Sequence, residues 1–349
     1  MEEQRQRAKA AAVSIDLTLQ DAIDQVVADQ AATCFEGYEA LDHASCVQAL
    51  VVNGEPSTTA KAGDAVQVVL DTTPFYGEGG GQVGDRGVLA GSDLIVRIES
   101  VSRSRDVFVH AGRVERGELA LGDTVKAQVD RACRRRAQAN HTATHLLQAA
   151  LKQVVDPGIG QAGSLVDFDR LRFDFHCPTA VTADQLQQVE TLINGWINEA
   201  HALQVQEMAI DQAKAAGAVA MFGEKYGNVV RVVDVPGVSM ELCGGTHVGN
   251  TSEIGGFKIV SEAGIAAGVR RIEAVSGPGV VELLNQREGV VKELAGSLRV
   301  PPEEIAGRVS SLMDDLRAAQ KEAEALRGEL AAAKSVALAS DAVVTPNGS

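Results

Sequence analysis

The chain has 349 residues, a formal charge of −15 and an apolar content of 45%. This length allows two or three domains with cores of their own. No apolar run approaches the roughly 20 residues of a membrane span, and the start Met1-Glu2-Glu3-Gln4 is not a secretory leader. We therefore expect a cytoplasmic protein without a membrane partner. The acidic balance and an aromatic content of only 3% disfavour indiscriminate nucleic-acid binding.

The amino-terminal part of the chain divides into a helical tail and a β-rich region. Residues 1–30 are rich in Ala, Gln and Asp and have helical character. Residues 31–128 consist of short β-type runs, such as 65–70, 94–101, 107–110 and 124–129, separated by turn signals such as Asn53-Gly54. Many short strands at this spacing predict a small β-barrel.

Residues 129–280 have the mixed pattern of an α+β domain. A helix is predicted from Arg131 to about Val155, because Asp156-Pro157-Gly158 stops it. A second helix follows Thr182 as N-cap. Strand-like pieces lie at 171–175, 229–235, 257–260 and 269–275, and residues 160–164 are predicted as a turn. The predicted fold class is α+β, with a barrel, an α+β domain and carboxyl-terminal helices.

Residues 281–335 carry a heptad pattern. The apolar positions recur at spacings of four and three: Ile305, Val309, Leu312, Leu316, Ala319, Ala323, Leu326 and Leu330. Such a seam is typical of a coiled coil. We favour a helical hairpin that turns at Pro301-Pro302, in which residues such as Leu284 and Leu294 supply the other half. A single long helix and a coiled-coil dimer are the alternatives, and residues 336–349 are predicted to be a disordered tail.

Two closely spaced pairs of His and Cys residues indicate a metal site. His141 and His145 are one turn apart on a predicted helix, so both imidazoles can reach one ion. The protease motif with Glu after the first His is excluded by Thr142. Cys243 and His247 flank Gly244-Gly245-Thr246, which lets the backbone turn tightly. Three His and one Cys suit a tetrahedral Zn²⁺. Whether this zinc is catalytic or structural stays open, because four protein ligands describe a closed site whereas a catalytic site keeps one position for water.

Arginines are concentrated just before the histidine pair. Arg131, Arg134, Arg135 and Arg136 fall in the first turns of the predicted helix, where positive charge opposes the helix dipole. This cost favours a use in phosphate contact, although a solvated face paired with acids is the alternative. Arg270 and Arg271 are further candidates for tRNA contact, with one of the two turned inward by strand alternation.

Five segments in order resemble alanyl-tRNA synthetase, in its editing half and the helical linker that follows. They are the His141-to-His145 pair, Cys243-Gly244-Gly245-Thr246-His247, Gly79-Gly80-Gly81-Gln82 with Gly84-Asp85, the run 166–175, and Gly268-Val269-Arg270-Arg271-Ile272-Glu273. The resemblance implies hydrolysis of mischarged Ser-tRNA(Ala) and Gly-tRNA(Ala), since an alanine pocket rejects such near neighbours poorly by binding alone.

The resemblance also implies roles for single residues. The zinc ligands would be His141, His145, Cys243 and His247. Thr144 would distinguish serine from alanine through its hydroxyl, and Gln161 matches a residue of the family's editing site. The loop of Gly79, Gly80, Gly81, Gln82 and Asp85 would cover the site, although a glycine-rich loop can also be only a flexible turn.

The complete synthetase also has an ATP-dependent aminoacylation domain before this region and a further domain after the linker. Neither fits within this sequence, so we expect no activation of alanine by this chain. A piece of the synthetase is the favoured interpretation, with a free-standing trans-editing deacylase as its alternative. Two other hypotheses are a non-catalytic, zinc-stabilised tRNA-binding module and a zinc hydrolase of small esters or amides. A dimer through the coiled coil or the missing domain is a further expectation.

Overall fold

Short antiparallel strands build the amino-terminal part of the protein, as its turn signals predict. The computed structural model describes residues 26–28, 30–220 and 227–340. The first strands are β1 (Cys34–Phe35), β2 (Asp42–Val52), β3 (Glu55–Pro56), β4 (Thr59–Lys61), β5 (Ala65–Leu70), β6 (Thr72–Thr73), β7 (Gly87–Ala90), β8 (Ile95–Ser104), β9 (Val107–Arg116), β10 (Glu118–Ala120) and β11 (Thr124–Val129).

Six of these strands close into a barrel. Their order is β11-β7-β8-β9-β5-β2, and β2 pairs with β11 to complete the circuit. Alternate residues point inward, so that Val66, Val68 and Leu70 of β5 meet Val96 and Ile98 of β8 in the barrel core. Closure satisfies the backbone hydrogen bonds that an open sheet leaves at its edges. The predicted barrel is confirmed.

The chain then forms a mixed α+β layer. Its elements are α1 (Arg131–Val154), β12 (Gln161–Val166), β13 (Leu171–His176), α2 (Ala183–Asn198), β14 (Gln204–Ala209), α3 (Ile210–Ala215), β15 (Val229–Val235), β16 (Ser239–Leu242), a 3₁₀ turn (Thr251–Ile254), β17 (Phe257–Ala266) and β18 (Val269–Ser276). Asp130 caps α1 by accepting from two backbone N–H groups, and Thr182 forms a capping box with Gln185 at the start of α2.

A second core lies between the helices and a four-stranded sheet. The sheet has the order β12-β13-β18-β17, and α1 packs against it and against α2. Leu147 and Leu151 of α1 share this core with Phe173 of β13 and Ile193 of α2. A three-stranded sheet, β14-β15-β16, lies beside α1. The core holds α1 rigidly, and α1 carries the histidine pair.

The carboxyl-terminal helices are α4 (Pro278–Leu298) and α5 (Ile305–Ser340), with a 3₁₀ turn at Pro302–Glu304 between them. The described residues from 281 onward form a compact unit of their own. Within it, the heptad residues Leu316, Leu326 and Leu330 are more than half exposed, and Leu284 of α4 is exposed as well. The predicted helical region is confirmed, and its apolar seam is open to solvent along the described residues.

Most predicted elements are present, and two details differ. Residues 160–164 were predicted as a turn, but 161–166 form β12, because pairing with β13 tolerates a bulge between Gln161 and Gly163. Helix α5 extends to Ser340, five residues beyond the predicted end of the helical region at 335, since Ala and Leu favour helix there. The α+β class is confirmed. Of the predicted amino-terminal tail at 1–30, only residues 26–28 and 30 are among the described residues. Residues 341–349 lie outside them as well.

The division of residues 31–280 at position 128 stays a prediction. Among the described helices, none combines the length and apolar character needed to cross a membrane.

Candidate metal centre

Four side chains from two segments converge on one point. His141 and His145 come from the buried face of α1, and Cys243 and His247 come from the loop that follows β16. Their candidate ligand atoms all lie within 4.8 Å of one another. Each of the four side chains is buried, with at most 9% of its surface exposed. The two pairs that the sequence singles out therefore form a single cluster.

The spacing of the cluster fits a tetrahedral ion. The Sγ atom of Cys243 lies 3.4 Å from Nε2 of His141 and 3.2 Å from Nε2 of His247. Zinc–sulfur and zinc–nitrogen bonds of about 2.3 and 2.1 Å at a tetrahedral angle separate sulfur from nitrogen by about 3.5 Å. The observed separations approach that value, so the residues fit a zinc ion.

Hydrogen bonds fix the tautomers of two of the histidines. The amide oxygen of Gln82 accepts from the backbone N–H of Thr246 at 3.0 Å and lies 2.7 Å from Nδ1 of His141. Because this oxygen can only accept, Nδ1 of His141 carries the proton and Nε2 keeps its lone pair. The Thr142 hydroxyl donates to the Gln138 carbonyl and lies 3.1 Å from Nδ1 of His247, which assigns the same tautomer there. Such orientation of metal-binding histidines by a second hydrogen bond is typical of zinc sites.

The charges around the cluster suit a cation. Burial disfavours a thiolate, but the three imidazoles hold the pKa of Cys243 well below its usual value. Burial also opposes a charge on His145, yet the Glu241 carboxylate and Cys243 raise the pKa of this imidazole to about 9. Burial, together with His141, lowers the pKa of His247 to about 3. An ionised sulfur and a neutral imidazole are the forms that bind zinc, so a zinc ion would take the place of the proton that Glu241 and Cys243 favour on His145.

Side chains outside the cluster bind the loop that carries Cys243 and fix its position. The Arg231 guanidinium donates to the carbonyl oxygens of Cys243 and Gly245 at 2.8 and 2.9 Å. It also lies 4.1 Å from the centre of the Tyr38 ring, whose hydroxyl donates to the Gly244 carbonyl. A Cβ atom at Gly245 would lie only 2.0 Å from the His141 ring. Only glycine lets the loop approach α1 this closely.

The loop at residues 79–85 contacts the cluster directly and is not a free turn. Gln82 is fully buried, and its side chain bonds to both His141 and Thr246. The Gly81 carbonyl accepts from the backbone N–H of Val166, which ties the loop to β12. A Cβ atom at Gly81 would lie 2.9 Å from the Ser164 carbonyl oxygen, in a residue whose φ is +80°. The loop thus joins the barrel to the metal cluster.

Arg134 is a correction to the predicted tRNA-contacting set. Its side chain is 1% exposed and forms a bidentate pair with Asp85, which is itself fully buried. It also donates to the carbonyl oxygens of Gly37 and Pro74 at 2.6 and 2.8 Å. Position 134 lies two turns before His141 on the same helix face, so it points into the protein. This arginine connects α1 to the barrel, and its buried guanidinium is not accessible to RNA.

The other predicted arginines have different surroundings. Arg131 is exposed, Arg136 is half-buried, and Arg135 is exposed with an ion pair to Glu253 at 3.0 Å. Arg270 pairs with Glu262, and Arg271 forms a bidentate pair with Asp174 at 2.7 and 2.8 Å. Arg270 and Arg271 are also half-buried, so the exposed Arg131 and Arg135 are the more accessible candidates.

The two residues predicted to select the amino acid, Thr144 and Gln161, have different surroundings. Thr144 is buried on α1, and its hydroxyl donates to the Asn140 carbonyl at 2.8 Å. Gln161 lines a cavity of about 320 Å³ together with Glu241. Their roles stay predictions. Sequence reasoning missed Thr142, Arg231 and Glu241, of which only Thr142 lay within a recognised motif.

Comparison with known proteins agrees with these features. Residues 1–133 match the family model of class II tRNA synthetases (A), and residues 230–273 match the second additional domain of threonyl and alanyl tRNA synthetases. The second match contains Cys243 and His247.

Curated relatives are similar over nearly the whole chain. The alanine–tRNA ligase of Synechococcus sp. (strain CC9605) is 88% identical over 92% of the chain, and that of Parasynechococcus marenigrum (strain WH8102) is 77% identical over 94%. The alanine–tRNA ligase of Prochlorococcus marinus (strain MIT 9313) is 70% identical over 98%. The chain spans 36–39% of the length of these relatives. On this similarity, the chain belongs to the alanyl-tRNA synthetase family.

Proposed function

We propose that this chain hydrolyses the ester bond of tRNA(Ala) mischarged with serine or glycine. The observation that carries the proposal is the buried His₃Cys cluster, which stands beside a cavity of about 320 Å³ and takes Cys243 and His247 from the segment that matches the second additional domain. Zinc is the metal that its donor set and spacing favour. The complete ligase would attach alanine to tRNA(Ala) with ATP, and this activity belongs to the whole protein. A cytoplasmic location is the matching expectation.

The residues around the cluster have separable tasks in this proposal. A bound zinc ion supplies positive charge that polarises an ester carbonyl or a water molecule. Gln82 and Thr142 hold two ligand imidazoles in the required tautomer. Gln161 lines the cavity where the aminoacyl group would lie. Thr144, on the ligand helix α1, would sort serine from alanine.

The tRNA backbone needs cations close to the cluster. An open cleft of about 560 Å³ beside His247 is lined by Arg135 and Arg231. Arg131, at the exposed start of α1, is a further candidate. Guanidinium groups bind phosphate oxygens in a bidentate manner, so this cleft is our proposed path for the acceptor end of the tRNA.

The completeness of the ligand set favours a second candidate function. Four protein ligands fill a tetrahedron, as in structural zinc sites. With a structural zinc ion, the domain would bind tRNA without hydrolysing it. Alternatively, the ester would still be hydrolysed, with the tRNA's own hydroxyl groups orienting the attacking water molecule. A hydrolase of small esters or amides is the third candidate.

Deacylation assays separate these candidates. The chain is incubated with Ser-tRNA(Ala) and Ala-tRNA(Ala), with and without a chelator, alongside Cys243→Ala and the control Cys177→Ala, a buried cysteine outside the cluster. We expect rapid loss of the serine ester only, and we expect the chelator and Cys243→Ala, but not Cys177→Ala, to abolish it. Binding without hydrolysis would contradict the proposal and favour the tRNA-binding module. Full activity of Cys243→Ala after its zinc is lost would refute a role for the metal.

A further inference from the structure

Glu241 is a buried carboxylate between the metal cluster and the adjacent cavity. It lies on β16, two residues before Cys243, and its side chain is 6% exposed. Its Oε2 atom is 3.7 Å from Nε2 of His145. The same side chain lines the cavity of about 320 Å³ that Gln161 also lines. Glu241 is therefore in reach of both the cluster and any group that occupies the cavity.

The hydrogen-bond partners of this carboxylate are neutral. The Ser239 hydroxyl donates to Oε1 at 2.9 Å, and the Gln148 amide donates to the same oxygen at 3.3 Å. Lys152 also lines the cavity, but no lysine or arginine within the described residues lies within 4.0 Å of the Glu241 carboxylate. Its ion pair with the His145 imidazole, at 3.7 Å, is long and lies on the cluster side, and burying a carboxylate with so little compensation is costly. The metal cluster accounts for the oxygen near His145 and leaves the cavity side of the carboxylate without a cation.

The substrate class supplies such a cation. An aminoacyl ester carries a free α-ammonium group one carbon away from the ester carbonyl. A carboxylate at the cluster end of the cavity can bind this ammonium while the carbonyl faces the metal ligands. An N-acylated ester has no such charge and adds bulk, so it would leave the cavity side of the buried Glu241 carboxylate without a cation, which is costly for a charged group.

We infer that Glu241 binds the α-ammonium group of the aminoacyl ester, so that the site accepts esters with a free α-amino group and rejects N-acylated ones. This inference rests on the proposed function and adds a substrate-recognition residue to it. It assigns the discrimination between free and N-blocked esters to one side chain, independently of the residues that sort serine from alanine.

The test compares the wild type with the isosteric variant Glu241→Gln on two substrates, Ser-tRNA(Ala) and N-acetyl-Ser-tRNA(Ala). A charge-assisted hydrogen bond corresponds to about 10- to 100-fold in kcat/KM. We expect Glu241→Gln to lose that factor on Ser-tRNA(Ala) and to match the wild type within about twofold on the N-acetylated substrate. Its zinc content should equal that of the wild type. The control Glu199→Gln, which changes an exposed carboxylate, should behave as the wild type.

A binding measurement keeps the inference separate from hydrolysis. The probe is 3′-deoxy-3′-(L-serylamino)adenosine, whose amide replaces the ester, with and without N-acetylation. The wild type should bind the free amine at least tenfold more tightly than the N-acetylated probe, and Glu241→Gln should lose this preference. Failure of the wild type to deacylate Ser-tRNA(Ala) would count against the proposed function, whereas the probe preference decides the inference.

Two results would overturn the inference. An equal loss on both substrates would mean that Glu241 acts through His145 and the metal. Equal binding of the two probes by the wild type would show that the ammonium is not recognised, and this result does not depend on the folding of any variant.

Discussion

Around the metal cluster, separated segments of the chain bury one another's polar groups, whereas α5 leaves its apolar seam in solvent. Gln82 from the barrel, Thr142 from α1 and Arg231 from β15 each complete a hydrogen bond that the cluster or its loop requires. Leu316 and Leu326 of α5 have no such cover among the described residues. Exposed apolar stripes of this kind are typical of interaction surfaces. The comparison indicates that the cluster depends on contacts within the chain, whereas the seam contributes little to the stability of the chain by itself.

Removal of one partner of the buried Arg134–Asp85 ion pair should have the largest effect on stability. Arg134→Met leaves Asp85 buried without its cation, which costs about 3–5 kcal/mol of unfolding free energy. Urea unfolding followed by circular dichroism measures the change. The control Arg116→Met removes an exposed pair with Asp93 and should change stability by less than about 1 kcal/mol. Equal effects of the two variants would show that the link between α1 and the barrel does not stabilise the fold.

Gln82→Ala should have a smaller effect, confined to the cluster. It removes the acceptor that orients His141, and loss of such a group typically weakens metal binding by about 10- to 100-fold. Competition of the protein with a chromophoric zinc chelator measures the affinity. Gln48→Ala, an exposed glutamine on β2, serves as the control. Unchanged zinc affinity in Gln82→Ala would mean that the loop at 79–85 only covers the cluster.

Substitution in the seam should have the smallest effect. Leu316→Ala and Leu326→Ala change exposed residues, so each should alter unfolding free energy by at most about 0.5 kcal/mol. The measurement is urea unfolding at low protein concentration. A loss above about 2 kcal/mol, the range of buried leucines, would show that the seam is covered in solution. The predicted dimer would then be one explanation, and sedimentation at two concentrations would test it.

The sequence predicted elements and ligands well where a local pattern determines them. Strands β5, β11 and β15 match their predicted bounds, and Thr182 caps α2 as predicted, because alternation and capping depend on near neighbours. The four residues of the cluster, which are the proposed ligands, could be singled out because each pair is local and the donor types are distinctive. The His141-to-Cys243 contact itself depends on the tertiary fold.

Long-range contacts explain what the sequence did not show. Arg134 belongs to a run of basic residues, and only the position of the barrel reveals that it faces Asp85. Glu241 precedes the Cys243 motif without a recognisable spacing of its own, and its meaning depends on α1 and the cavity. Residues 160–164 resemble a turn by composition, but pairing with β13 makes 161–164 part of strand β12.

The identity of the bound metal and its ligands tests the account most directly. X-ray absorption at the zinc edge of the purified chain should show one sulfur at about 2.3 Å and nitrogen ligands at about 2.0–2.1 Å. The sulfur contribution should disappear in Cys243→Ala and persist in Cys177→Ala. A chain that binds no zinc, or a zinc ion surrounded only by oxygen ligands, would contradict the assignment of His141, His145, Cys243 and His247 as the metal centre.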